Sequence, residues 1–128
     1  MRFGFVYDDF NVRQVLEKIE YYKYSAMPVI DRSGHYVGTI TEGDLLTKIK
    51  EEYTLNIRDA ENIPLKTIRR RMDNQPVHAH AVMEDLIDKA INQNFVPVVD
   101  DNNIFVGIVT RRAIIQYLFN KEKHNENS

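Results

Sequence analysis

Met27-Pro28-Val29-Ile30-Asp31, followed by Gly38-Thr39-Ile40-Thr41-Glu42-Gly43-Asp44, is the stretch that decides the fold, because the chain contains it twice. The second copy is Val96-Pro97-Val98-Val99-Asp100, followed by Gly107-Ile108-Val109-Thr110-Arg111-Arg112-Ala113. The prolines at 28 and 97, the glycines at 38 and 107 and the threonines at 41 and 110 all keep one offset of 69. A constant offset over this length marks two copies of one supersecondary unit. The Pro-opened apolar run is a strand, and Asp31-Arg32-Ser33-Gly34 is turn chemistry. Tyr36 to Ile40 is the returning antiparallel strand. Thr41 then opens a helix with Leu45, Leu46, Ile49 and Tyr53 on one face.

Upstream, Val6 to Asp8 reads as a short strand, and Val12, Val15, Leu16 and Ile19 recur at helical spacing. The second copy follows suit. Val77 opens it, and Leu86, Ile87 and Ala90 match Val15, Leu16 and Ile19 at an offset of 71. The drop from 71 to 69 predicts a helix-to-strand connection two residues shorter in the second copy. Ile114, Ile115 and Leu118 repeat Leu45, Leu46 and Ile49. The pattern is a mixed α/β (α+β) protein of two β-α-β-β-α repeats. Neither repeat is large enough to bury its own sheet face well, so the two are expected to pack together. The expected organisation is residues 1–57 as the first repeat, 58–76 as a connecting segment, 77–120 as the second repeat and 121–128 as a polar, disordered tail. In the connector, Pro64 is expected to open a short helix with Leu65, Ile68 and Met72 inward and Arg69, Arg70 and Arg71 as a basic cluster. That cluster suits a phosphate or an acidic partner, or is simply a solvated face.

Bulk composition narrows the function. The 128 residues carry 43% apolar and 28% charged side chains, a net charge of −2 and no cysteine. The absence of Cys removes disulfides, thiolate zinc sites, iron–sulfur clusters and cysteine nucleophiles. The charge balance opposes a general nucleic-acid binder. No stretch approaches the ~18 apolar residues of a membrane span, and Asp8 and Asp9 interrupt the apolar start, which does not read as a signal peptide. A cytoplasmic protein that binds neither membrane nor nucleic acid is expected. There is no phosphate-binding glycine loop, no nucleophile elbow and no paired His-Glu zinc motif, and no acid, base and nucleophile stand in named positions. No enzyme activity, required cofactor or metal site is expected. His78 and His80 share a strand face but lack a third ligand. Tyr21, Tyr22 and Tyr24 cluster before the proline strand, where Tyr24 suits either core packing or stacking on a base.

Pro-Val-hydrophobic-Asp, a turn, then Gly-hydrophobic-hydrophobic-Thr and a helix, twice in tandem over about residues 1 to 120, resembles a pair of CBS (cystathionine β-synthase) domains, a Bateman module. The resemblance implies pseudo-two-fold symmetry and a cleft between the repeats that often binds adenosine nucleotides. It also implies association into a homodimer. The helix faces carrying Leu45, Leu46, Ile49, Ile114, Ile115 and Leu118 suit either that interface or the internal core. With no effector domain in the sequence given, an unknown effector protein is the expected readout.

Two clefts follow from the resemblance, and they differ. In the first, Thr41 at a helix start suits a phosphate, since exposed N–H groups and the helix dipole favour an anion. Asp44 one turn later suits a ribose diol, and Ser25, Ala26, Met27 and Pro28 would line the base pocket. The same Thr-x-x-Asp is also a capping box, which needs no ligand. In the second, Thr110 is kept, but Ala113 replaces the aspartate and Phe95 stands where the first copy has Ala26, ahead of Val96 and Pro97. Arg111 and Arg112 oppose the helix dipole there unless an anion, Asp100, Asp101 or a partner subunit pairs with them. Thr-Arg-Arg and Tyr24-Ser25-Ala26-Met27-Pro28 also resemble small bacterial CBS pairs that bind cyclic di-AMP. The expected ligands are AMP, ADP, ATP or cyclic di-AMP; the competing reading is a ligand-free interaction module.

Overall fold

The computed structural model describes residues 4–52, 56, 58–71 and 73–126. Tyr53 and Met72, expected on inward faces, lie outside them. The first repeat runs β1 (Val6–Tyr7), α1 (Val12–Tyr22), β2 (Ala26–Ile30), β3 (Tyr36–Thr41) and α2 (Glu42–Glu51). The second runs β4 (Val77–His78), α3 (Met83–Asn92), β5 (Phe95–Val99), β6 (Phe105–Thr110) and α4 (Arg111–Glu126). Each repeat makes one three-stranded sheet, in the orders β1-β2-β3 and β4-β5-β6. The outer β1 and β4 pair in parallel with β2 and β5, and the hairpins are antiparallel.

The repeat extends to its irregularities. Ala26 pairs with Thr41 and Phe95 with Thr110, and each hairpin shifts register once, between Val29 and Ile30 and between Val98 and Val99. The turn aspartates are also equivalent. Asp31 Oδ1 accepts the N–H groups of Ser33 and His35 at 3.0 and 2.9 Å, and Asp100 Oδ1 accepts those of Asn102 and Ile104 at 2.8 and 3.0 Å. Each carboxylate thus closes its own hairpin. The change in offset is shared between helix and connection: α1 ends at Tyr22 and β2 starts at Ala26, whereas α3 ends at Asn92 and β5 starts at Phe95. Lys23, in the left-handed region at φ 59°, terminates α1, its N–H donating to the Ile19 carbonyl.

The chain divides into two compact units, residues 1–73 and 74–128. This departs from the expected connector at 58–76, most of which packs inside the first unit. Ala60, Ile63, Leu65 and Ile68 are buried with Val6, Val12, Val15, Met27, Val29, Ile40 and Leu45. Backbone bonds hold the segment there: Val12 N–H donates to the Ile63 carbonyl at 2.8 Å, and Leu65 N–H to that of Phe10 at 2.8 Å. Pro64 does open a helical turn, but only the 3₁₀ turn Leu65–Thr67, with Leu65 and Ile68 inward. Arg69, Arg70 and Arg71 follow it in irregular chain and form no helical face. A further 3₁₀ turn spans Asp59–Asn62.

The end of the chain also differs from expectation. Helix α4 continues to Glu126, through most of the segment expected as a disordered tail. No Gly or Pro interrupts Arg111 to Glu126, and Lys and Glu are good helix formers, so nothing local stops the helix. The apolar helix faces divide. Leu45 and Ile114 are buried, while their sequence neighbours Leu46 and Ile115, ~100° further round the helix, are exposed; Leu118, one turn after Ile114, is exposed as well. Among the described residues, no helix is long and apolar enough to cross a membrane.

Candidate functional site

The two Thr-x-x-x motifs fold alike and end differently. Thr41 has extended backbone (φ −109°, ψ 161°) and caps α2. Its Oγ1 accepts the Asp44 N–H at 3.1 Å, and Asp44 Oδ2 accepts the Thr41 N–H at 3.1 Å, a complete capping box. Glu42 N–H donates to the Ser25 carbonyl at 3.0 Å. Among the described residues, Gly43 N–H is left as the unpaired amide of this turn, and a Cβ built on Gly43 would meet nothing closer than Thr41 Oγ1 at 3.8 Å. The helix start therefore offers one open donor rather than the row that a bare N-terminus presents.

Asp44 is buried, at 3% exposure. Its second oxygen accepts the Arg71 N–H at 3.3 Å, so the carboxylate ties α2 to the basic segment as well as capping the helix. Asp44→Ala therefore removes two acceptors from buried surroundings, a cost of about 1–3 kcal/mol. That is more than a surface cap would lose, which makes Asp44→Asn the better probe of binding.

The segment that meets Asp44 is pinned to β3. Asp73 Oδ1 accepts the Thr39 N–H at 2.8 Å and Arg70 Nε at 2.7 Å, while Arg70 Nη2 reaches Asp73 Oδ2 at 3.3 Å. The hydrogen bond from Arg70 keeps the guanidinium pKa above its ordinary value. Gly38 makes this approach possible, since a Cβ there would stand 2.4 Å from Asp73 Oδ1 and 2.7 Å from Arg70 Nε. The result is a cavity of about 270 Å³ lined by Asp44, Thr47, Lys48, Glu51, Ile68 and Arg69 to Arg71. Three arginines beside the aspartate of the motif were visible in the sequence as a basic cluster, but not their meeting with Asp44, which needs the fold.

Of the other expected first-cleft residues, Ser25 is exposed, while Ala26, Met27 and Pro28 are buried in β2. Phe95, Val96 and Pro97 are buried in β5 in the same way. Tyr22 stacks on Tyr24, ring centroids 5.5 Å apart, and both pack against the first core.

At the second motif, Thr110 Oγ1 accepts the Ala113 N–H at 3.1 Å, but no carboxylate answers it. Arg111 has a use that the sequence reading missed. Its Nε donates to the Ala90 carbonyl at 2.6 Å and its Nη2 to the Ile91 carbonyl at 3.2 Å. These carbonyls end α3, where a cation is favoured by the helix dipole. The guanidinium that opposes its own helix thus completes its neighbour, and it turns neither to Asp100 nor to Asp101. The Arg112 side chain is exposed and, among the described residues, its guanidinium has no hydrogen-bonding or ion-pairing partner. His80 faces Asp101 at 3.9 Å, and among the described residues no three His, Asp or Glu side chains converge as a metal site.

The CBS domain family model matches residues 3–51 and 60–120, both repeats. The chain belongs to the CBS domain family. An uncharacterized protein from Methanopyrus kandleri is 26% identical over 107 residues, covering 80% of this chain and 51% of its own length. The chain spans about half the length of the first curated relatives that it matches. Among solved CBS structures, CbpB of Listeria monocytogenes in complex with c-di-AMP is 23% identical, with a TM-score of 0.76 over 94% of this chain and 89% of that one. CBSX2 in complex with AMP is 22% identical, with a TM-score of 0.69 over 93% and 89%. At these identities the likeness is one of fold.

Proposed function

We propose that this CBS pair is a non-catalytic regulatory module that senses an adenosine nucleotide, AMP, ADP, ATP or cyclic di-AMP, in the cleft implied by the family, and signals to a partner protein in the cytoplasm. The observation that carries this is Asp44, the carboxylate of the Thr-x-x-Asp motif, opening onto a cavity whose walls also hold Arg69, Arg70 and Arg71. A carboxylate acceptor suits ribose hydroxyls, and guanidinium groups suit phosphate. The complexes of CbpB with c-di-AMP and of CBSX2 with AMP support this class of ligand. Thr41, Asp44 and the Ser25–Pro28 strand start form the first subsite in this reading, and Thr110, Arg112 and the Phe95–Pro97 strand start the second. Arg111 contributes to the second by bracing α4 against α3. A ligand that prefers one arrangement of the protein shifts its population toward that arrangement. The homodimer belongs to the same reading, with Leu46, Ile115 and Leu118 as exposed apolar residues for a second copy to cover.

One observation favours the ligand-free scaffold instead. Both Asp44 oxygens and the Arg111 guanidinium already have protein partners. Calorimetric titration of nucleotide-stripped protein with AMP, ADP, ATP and cyclic di-AMP decides. Saturable binding, weakened at least tenfold in Asp44→Asn, is expected. Absence of heat with all four, together with an unshifted melting temperature, leaves the scaffold reading.

A further inference from the structure

One face of α1 carries a cavity of about 490 Å³, lined by Phe10, Gln14, Glu17, Lys18, Tyr21 and Tyr22. That volume lies within the ~300–1,000 Å³ of small-molecule sites. Positions 14, 17, 18, 21 and 22 share a helix face by their spacing, and Phe10 precedes the Asn11 cap. None of the six belongs to the nucleotide subsites described above. The aromatic part of the wall is braced from behind. Tyr22 stacks on Tyr24, and Tyr21 meets Tyr22 edge to face with centroids 4.9 Å apart. Tyr21 itself is 76% exposed, so a large ring is held in place with most of its surface in water.

The polar groups of the wall are one cation, one anion and one amide. The Lys18 ammonium lies 6.0 Å from the Tyr22 ring centroid and, among the described residues, has no ion-pairing carboxylate. The nearby acids are committed elsewhere, Glu17 to Arg13 and Glu20 to Lys23. Glu17 spends only Oε1 on Arg13, which Glu61 also shares, so its second oxygen is free to accept. Gln14 spends its carbonyl oxygen on the Asn11 N–H at 2.8 Å, which leaves its NH₂ to donate. A plain aromatic anion gains from Lys18 but is opposed by Glu17, and a plain aromatic cation meets the reverse. An aromatic zwitterion satisfies both charges and covers the exposed ring. The second unit supplies an internal comparison. Ala81, Asp85, Asp88 and Lys89 line a cavity there and stand 71 residues after Phe10, Gln14, Glu17 and Lys18. The acid–lysine step is kept, while Ala81 replaces Phe10 and Asn92 and Gln93 replace the two tyrosines. The charged step thus belongs to the repeat, and the aromatic wall to the first unit alone.

We propose that the α1 cavity is a binding site for a free aromatic α-amino acid. Its carboxylate takes Lys18 and the Gln14 NH₂, its ammonium donates to Glu17, and its ring packs on Tyr21 and Phe10. The site is independent of the nucleotide reading. Calorimetry on the full chain tests it with L-phenylalanine, L-tryptophan, 3-phenylpropionate, which lacks the ammonium, and phenethylamine, which lacks the carboxylate. One site per chain is expected for the amino acids, with affinity about tenfold or more lower for each truncated analogue. Lys18→Gln and Tyr21→Ala are each expected to lose about tenfold or more, and Lys18→Arg to retain binding. Both side chains lie outside the core, so unchanged melting curves separate lost binding from lost fold. No saturable binding of either amino acid overturns the proposal, as does binding indifferent to Lys18→Gln and Tyr21→Ala. Equal affinity for 3-phenylpropionate removes the role of Glu17 and overturns the amino-acid assignment. Two equivalent sites per chain would show that the aromatic wall decides nothing, and displacement by AMP would place the ligand in the nucleotide cleft; either result overturns it. Absence of binding with a changed oligomeric state in Tyr21→Ala would assign this face to a second copy instead.

Discussion

At the scale of single residues, the turn aspartates show how one side chain fixes a backbone. Asp31 receives two amide N–H groups, and the His35 imidazole Nδ1 lies 3.3 Å from its other oxygen. The His35 N–H is the main cause holding this carboxyl below its ordinary pKa. A depressed folded-state pKa stabilises the protein above the unfolded pKa, about 3.9 for Asp, and that contribution is lost as pH falls through the folded value. Asp9 acts with the same sign, its carboxylate paired with Arg32, whose guanidinium lies 3.8 Å from the Tyr7 ring centroid. Urea midpoints of the wild type and Asp31→Asn are therefore expected to differ by a constant amount above about pH 5 and to converge below it as the wild-type carboxyl protonates. A difference that stays constant down to about pH 2 would mean that the Asp31 charge adds nothing beyond the hydrogen bonds.

At the scale of elements, α2 and α4 are a natural comparison. Both follow a Thr N-cap, but α2 has Asp44 to answer the cap and Glu42 in its first turn, whereas α4 has no acidic residue there. Ala113→Asp supplies the missing return bond to Thr110 N–H and an anion at the positive end of the dipole. It is expected to stabilise the protein by about 0.5–1 kcal/mol, read as a raised melting temperature. An unchanged or lowered temperature would show that Arg111 and Arg112 already hold this turn in another way. The strands and hairpins were legible in the sequence because register, turn aspartates and caps all recur at one offset. The packing of Ala60, Ile63, Leu65 and Ile68 was not, because they sit in two single 3₁₀ turns or at the residue that ends each, with no helical or strand period to read. The contact of Arg111 with α3 was also hidden. It joins residues about twenty positions apart through backbone carbonyls, which carry no sequence signal.

At the scale of the whole molecule, two repeats of one pattern carry unequal cores. In the first unit the sheet and α1 close on Ala60, Ile63, Leu65 and Ile68, a set of apolar residues for which the second unit has no counterpart among its described residues. The second cluster is Val77, Ala90, Val96 and Ile114, with residues such as Leu86 and Ile87 only partly buried around it. Apolar burial contributes roughly 25 cal/mol per Å², so the unit that buries more should open less often. Native-state hydrogen exchange of the ligand-free protein is expected to protect amides of β2 and β3 more strongly than those of β5 and β6, the second unit exchanging by a sub-global opening. Equal protection in both sheets would show that the units unfold as one and would remove the asymmetry. A ligand held by the first unit alone stabilises that unit, by about 2.7 kcal/mol at one hundred times the dissociation constant, and leaves the protection of β5 and β6 unchanged. One that also engages Thr110 and Arg112 is released when either unit opens, so it raises the protection of β5 and β6 as well. The change in protection of β5 on ligand addition thus reports whether the second repeat takes part in binding.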